Sequence, residues 1–391
     1  MTTQDYEVAF DKFIRKETLK KIKREIGRFD TEELDVEKQL FFDAFKNNLQ
    51  DRINLHQHSR QTAAKGKMPY VHFDLIDSLT FNALAGFDEF GNEFIGVNYG
   101  TVLILLDTFN RMMAHEEILP EIGSAYLEES PDRLPKLPTS YVEIESHYDT
   151  FDLSSVVLPI DPIREEHAAV LTEFALFFLV EHELCHLRNG HVHYSNSLTS
   201  QSFIMEFDSD TDVDLIPLTS KVLEWDADSW ASVQGVGFLF QSMRFSPDAY
   251  QEIREKYAST EVGLMFNWGF AIWVMFRLID NVRSENSEFY PIPKIRLHSS
   301  IITASGAVKR EEGDAHFEEF VSLIRPIFET AETPIGLITN QTIEGFEEIN
   351  LYFYGKPKPP EIDYLPLYED HWREVVKPGL LMHSRATDLP D

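Results

Sequence analysis

A chain of 391 residues, 43% of them hydrophobic, is long enough to bury a substantial core. Its 66 acidic residues against 35 basic ones leave a net charge of −31, a surface that repels phosphate backbones and anionic headgroups, so no nucleic-acid or membrane-surface partner is expected. Cys185 is the only cysteine, which excludes an intramolecular disulfide and a cysteine-built structural zinc site.

The N-terminus lacks a basic stretch followed by an apolar core, so no secretory signal is expected and a cytoplasmic location is. Residues 1–66 read as a helical N-terminal extension. Its first helix carries Phe10, Phe13, Ile14 and Leu19, and its second Leu40, Phe41, Phe42, Phe45 and Leu49. The lysines and arginines near residues 15–28 read as a solvated helix face. Ser59 to Lys67, polar and containing Gly66, reads as a linker.

Between Tyr70 and Val97 the pattern changes to short strand-like runs. The turn signal Phe87–Asn92 separates Leu79–Ala85 from Glu93–Val97 and predicts a hairpin or two neighbouring strands. Val102, Leu105, Leu106, Phe109 and Met113 predict a helix from Thr101 to about His115. Proline, serine and aspartate from Pro131 to Pro162 predict an irregular excursion.

A helix from about Arg164 runs through the apolar stretch Ala175–Val180 into Glu181-His-Glu-Leu-Cys-His-Leu187, with Gly190 as its stop. Further helices are expected over about Thr219–Gln234 and Val262–Asp280. The apolar part of the latter, interrupted by Asn267, falls short of the roughly 18–20 residues a bilayer span needs. No membrane span is therefore expected. Residues 311–391, with the proline-rich Lys356–Pro360, read as an irregular C-terminal extension, which leaves 67–310 as the central domain.

His182-Glu-Leu-Cys-His186 fits H-E-x-x-H. On a helix, positions four apart share a face, so both imidazoles can hold one zinc ion. Glu183 sits about 100° round the same helix, placed to take a proton from a water acidified by that zinc without ligating the ion. The plainer reading, two surface histidines, conflicts with the apolar run immediately before the motif, because burying these side chains unpaired is costly.

A third ligand has three sources. The metzincin pattern needs glycine and histidine where Asn189 and Val192 stand, with Gly190 and His193 each one residue late. Glu224, in Leu223-Glu-Trp-Asp-Ala-Asp-Ser-Trp-Ala231, is the favoured ligand. Asp228 lies four residues on, where it can accept the other ring proton of a ligand histidine, and Ala227 and Ala231 permit close helix approach. The plainer reading of Glu224 and Asp228 is an acidic helix face. His298 is the third source, ranked below.

H-E-x-x-H followed by E-x-x-A-D resembles the pattern of gluzincin metallopeptidases, particularly the group of prenyl-protein endopeptidases and bacterial heat-shock membrane proteases. His186-Leu-Arg-Asn-Gly-His191 is similar to that group's H-x-x-x-G-H extension of the zinc helix. Asn82-Ala-Leu-Ala85 followed by Ile95-Gly-Val97 is similar to its strand pair over the cleft. Pro291-Ile-Pro293 followed by Arg296 resembles a proline-rich element beyond the third-ligand helix. The resemblance spans about Asn82 to Arg296. The group's membrane-spanning segments are missing and Tyr290 stands where histidine often precedes the prolines, so soluble relatives or Lit-like phage-exclusion peptidases are the nearer comparison.

The resemblance implies a zincin-like α+β domain, mainly helical with a small sheet, and an endopeptidase with Zn2+ as cofactor and a peptide or protein as substrate. It implies Asn82, Ala83, Ile95, Gly96 and Val97 as substrate-binding residues, with an edge strand at 95–97 that takes substrate by strand addition. His298 and Arg296 are the first candidates to stabilise the oxyanion, ahead of Tyr290, His193 and Tyr194. The plainer reading of Arg296 is a structural pair with a carboxylate. Asp208, Asp210, Asp212 and Asp214 read as a polar loop, because Val213 and Thr219 replace the glycine and glutamate of a calcium loop. Cys185 reads as a small core residue, and His56 and His58, two apart, as a poor ligand pair. The alternative to an enzyme is a catalytically silent zinc scaffold used for binding.

Overall fold

The computed structural model describes residues 2–22, 25–60, 69–128, 157–199, 202–205, 217–245, 261–282, 293–339, 365–384 and 389. In chain order these form α1 (Thr3–Ile22), α2 (Val36–Arg60), β1 (Val71–Ile76), β2 (Ala83–Phe87), β3 (Glu93–Asn98) and α3 (Tyr99–Met113). Then come α4 (Pro162–Arg188), α5 (His191–Thr199), β4 (Phe203–Met205), α6 (Pro217–Phe245), α7 (Glu261–Val282), α8 (Pro293–Glu312) and α9 (Asp314–Thr339). A last group comprises α10 (Leu365–His371), a π-helical turn over Trp372–Val376 and α11 (Lys377–Leu380). The architecture is α+β, mainly helical with a four-stranded sheet.

The sheet order is β1-β3-β2-β4, with β1 parallel to β3 and the other pairs antiparallel. Alternation along the strands separates two buried faces. Phe73, Leu75, Ala83, Ala85, Ile95 and Val97 face α2 and α4, whereas Ile76, Leu84 and Phe94 pack with Phe10, Phe13 and Ile14 of α1. The predicted hairpin is β2–β3, turned by Asp88–Asn92 with Gly91 at φ 79°, a left-handed conformation that suits glycine.

The expected edge strand is not an edge. Ile95 pairs with Phe73 on one side and Ala85 on the other, so β3 is interior and its backbone is already committed to two neighbours. The margins of the sheet are β1 and β4.

Helix α4 starts at Asp161, whose carboxylate accepts from the backbone N–H of Ile163 at 2.9 Å and of Arg164 at 3.2 Å. It ends at Asn189, followed by Gly190 at φ 81°. The reason it is apolar nearly all round is its position. It packs against α3, α6, α7 and the sheet, so it has no solvent face along its C-terminal half.

Arg164 fastens the chain between α3 and α4. Its five guanidinium donors reach five backbone carbonyls, those of Met113, His115, Ile118, Leu119 and Ile122, at 2.6–2.9 Å. Phe42, Phe45, Leu49 and Ile53 of α2 and Phe320, Ile324, Ile327 and Phe328 of α9 belong to the same core as α4. Helices α2 and α9, one from each expected extension, thus both contribute to the central packing, and the described part of the C-terminal extension is mainly helical rather than irregular, because α9 buries an apolar face in that core. A smaller cluster joins Val222, Leu223 and Ile295 to Tyr368, Trp372, Val376 and Leu380.

Among the described residues no helix is long and apolar enough to cross a membrane. The expected linker beyond Arg60, most of the 131–162 excursion, the Asp208–Asp214 loop, Tyr290, Pro291 and Lys356–Pro360 lie outside the described residues.

Candidate metal centre

Two helices build the site. In α4 the four-residue spacing brings His182 Nε2 and His186 Nε2 to 3.0 Å. Helix α6 crosses close to it, with the small Ala227 and Ala231 fully buried at the approach. This places Glu224 Oε2 3.2 Å from His182 Nε2 and Glu224 Oε1 3.5 Å from His186 Nε2. Donor atoms about 2.0–2.1 Å from a tetrahedral metal lie about 3.3 Å apart, so these separations fit an ion at their centre. The three side chains are at most 1% exposed and could hold a metal ion.

The neighbours of the triad favour that use. Asp228 Oδ1 lies 2.9 Å from His182 Nδ1. An ionised carboxylate only accepts, so this contact keeps the ring proton on Nδ1 and turns the Nε2 lone pair towards Glu224. Burial opposes ionisation of Asp228, but Arg296 and the His182 hydrogen bond outweigh it and hold the carboxyl below its ordinary range. Burial first, then the neighbouring His182, His191 and Arg296, lowers His186 well below an ordinary histidine. A neutral imidazole is the form that ligates.

Arg296, from the first turn of α8, donates from Nε to Asp228 Oδ2 and from Nη2 to Asp228 Oδ1, both at 2.7 Å. Its Nη2 also lies 3.8 Å from Glu224 Oε2. The side chain proposed as an oxyanion donor therefore forms the bidentate carboxylate pair that was the plainer alternative. His298 is fully buried two residues further along α8, about 200° round the helix from Arg296. Glu183 is fully buried beside His182 on α4.

Behind His186 lies a set of contacts that sequence reasoning missed. His186 Nδ1 is 2.9 Å from His191 Nδ1, and His191 Nε2 is 3.1 Å from Asp226 Oδ2. Asn189 Nδ2 donates to the same oxygen at 2.7 Å, and the Cys185 thiol lies 3.6 Å from it. Cys185, His191 and Asp226 also bring ligand-type atoms within 4.8 Å of one another. Burial, then Asp226, pushes the Cys185 thiol well above its usual range. The available signals were His191, already visible in H-x-x-x-G-H, and the second aspartate of Glu-Trp-Asp-Ala-Asp. Helical spacing puts Asp226 about 200° from Glu224, off the face that a one-helix argument inspects.

The strands expected to bind substrate, β2 and β3, pack against α4. Ala83, Ile95, Gly96 and Val97 are buried within β2 and β3, and Asn82 is buried immediately before β2. The Asn82 backbone is joined to Thr101 at 2.9 Å and to Asn98 N at 3.0 Å. His193 stacks on Phe87 with ring centroids 4.3 Å apart, and the Tyr194 ring abuts Gly379.

No family model, curated protein or solved structure matches the chain.

Proposed function

We propose that the chain is a zinc-dependent endopeptidase of gluzincin type, with a zincin-like catalytic domain, His182, His186 and Glu224 as metal ligands and Glu183 as general base. One observation carries the reading: two imidazole nitrogens and a carboxylate, all buried, converge at the 3.0–3.5 Å separations of a tetrahedral ligand set. Two histidines and one glutamate suit zinc, and three protein ligands leave a fourth position open, as catalytic rather than structural sites do.

Zinc bound there supplies Lewis acidity to the scissile carbonyl and the attacking water. The protein supplies the rest. Glu183 takes the proton of the attacking water on its carboxylate and returns it to the leaving amine nitrogen. Asp228 and Arg296 hold His182 in the tautomer and orientation the site needs. Burial around the site keeps the reacting groups away from bulk water, which strengthens each electrostatic contact.

A catalytically silent zinc scaffold is the second reading. It is favoured by the burial of Glu183 itself, fully enclosed together with the ligand set. The two readings agree on the metal and differ on turnover.

The first experiment is elemental analysis of the full chain, purified without added metal, beside Glu224→Ala. Near-stoichiometric zinc in the wild type and its loss from a folded variant support the centre. Absence of zinc from folded wild type, even after adding it back, ends the proposal. Hydrolysis of a peptide library by wild type and not by Glu183→Gln then selects the enzyme. Equal inactivity of both selects the scaffold.

A further inference from the structure

We propose that His191 and Asp226 form a positioning relay for the metal ligand His186. The inference rests on the metal centre proposed above and assigns the group that orients its second histidine. Asp226 Oδ2 has three donors around it: Asn189 Nδ2 at 2.7 Å, His191 Nε2 at 3.1 Å and the Cys185 thiol at 3.6 Å. An ionised carboxylate accepts only, so His191 carries its ring proton on Nε2. When that ring carries no second proton its Nδ1 is a lone pair, and it lies 2.9 Å from His186 Nδ1. His186 must donate there. Its own lone pair is left on Nε2, which faces His182 Nε2 at 3.0 Å and Glu224 Oε1 at 3.5 Å.

Both ligand imidazoles are thus set by a carboxylate of α6, His182 directly by Asp228 and His186 through His191. The five residues Glu224 to Asp228 supply the carboxylate ligand and both orienting carboxylates. With both Nδ1 atoms carrying protons, two lone pairs and a carboxylate converge on one buried point. A cation there satisfies all three.

The same contacts argue against a second metal held by Cys185, His191 and Asp226. Asn189 Nδ2, a donor that cannot ligate, sits 2.7 Å from Asp226 Oδ2 and 3.3 Å from Cys185 Sγ. It makes the contacts with that oxygen and that sulfur that an ion would make.

The test is zinc affinity of the full chain by chelator competition, with the visible spectrum of the cobalt(II) form as a second readout. His191→Leu removes both hydrogen bonds, whereas His191→Gln offers an acceptor and a donor at similar separation. The expected result is a zinc affinity lower by about 10–100-fold in His191→Leu, with an altered cobalt spectrum, and substantial recovery of both in His191→Gln. Asp226→Asn, a one-atom change, is expected to weaken binding in the same direction and serves if His191→Leu does not fold. Wild-type affinity and spectrum in His191→Leu, or in Asp226→Asn where that variant stands in for it, would overturn the relay. Equal weakness in the Leu and Gln variants would also overturn it, because packing alone would then be at work. Two zinc ions per wild-type chain, one of them lost in Cys185→Ser, would overturn it in favour of a second site. A wild type that binds no metal removes the centre itself, which is distinct from all these results.

Discussion

Arg296 holds Asp228 through two parallel 2.7 Å hydrogen bonds, and the same carboxylate lies 2.9 Å from His182 Nδ1. The guanidinium fork fixes the carboxylate plane, and the carboxylate fixes the imidazole. Arg296→Lys keeps the charge and loses the fork. We expect it to lower zinc affinity by about 10-fold, and Asp228→Asn by about 10–100-fold. Chelator competition on folded variants measures both, and unchanged affinity in Asp228→Asn would refute the assignment.

In the proposed centre Glu183 stands outside the ligand set, so Glu183→Gln should retain zinc. Turnover should fall by about 10²–10⁴-fold, the range for loss of a general base. Metal content and peptide hydrolysis measured on one preparation separate the two effects. Loss of zinc in this variant would show that Glu183 is a ligand after all.

Arg164→Met should destabilise the fold strongly. The substitution keeps an apolar stem but takes the shared donor from five carbonyls, of which those of Met113, Ile118 and Ile122 accept no other hydrogen bond among the described residues, whereas those of His115 and Leu119 keep a backbone N–H. A loss of roughly 3–5 kcal/mol is expected, since each buried orphan group costs about 1–3 kcal/mol and part of the segment can relax. Urea unfolding checks it, and a change below about 1 kcal/mol would mean that water replaces the guanidinium at little cost.

His167 predicts an acid limit. Burial, and next the charge of Arg164, lowers its pKa from 6.5 to about 3. The unfolded chain then binds the proton more readily than the folded one. Its contribution to stability is complete above the unfolded pKa of 6.5 and is lost as pH falls towards about 3. The slope within that window approaches roughly 1.4 kcal/mol per pH unit. Unfolding curves of His167→Gln between these limits should be flatter than wild type, and parallel curves would exclude His167 as the source.

The helix that carries His182 and His186 was legible because its geometry is internal. His182 and His186 need only a helix to share a face, and the apolar run from Ala175 to Val180 supplies that helix and its burial. Glu224 and Asp228 could be paired for the same reason, by their spacing of four on α6. The hairpin turn at Phe87–Asn92 is equally local.

What the sequence could not determine are relations between distant segments. The parallel pairing of β3 with β1 makes Ile95–Val97 interior, and no alternation pattern distinguishes an interior strand from an edge buried on both faces. Arg296 could have faced a reacting oxygen or a carboxylate. Only the crossing of α6 and α8 chose Asp228. Asp226 and His191 acquired a role when the α4–α5 corner was set beside α6. A side chain's type fixes what it can donate or accept, and the partner it meets is fixed by packing between helices.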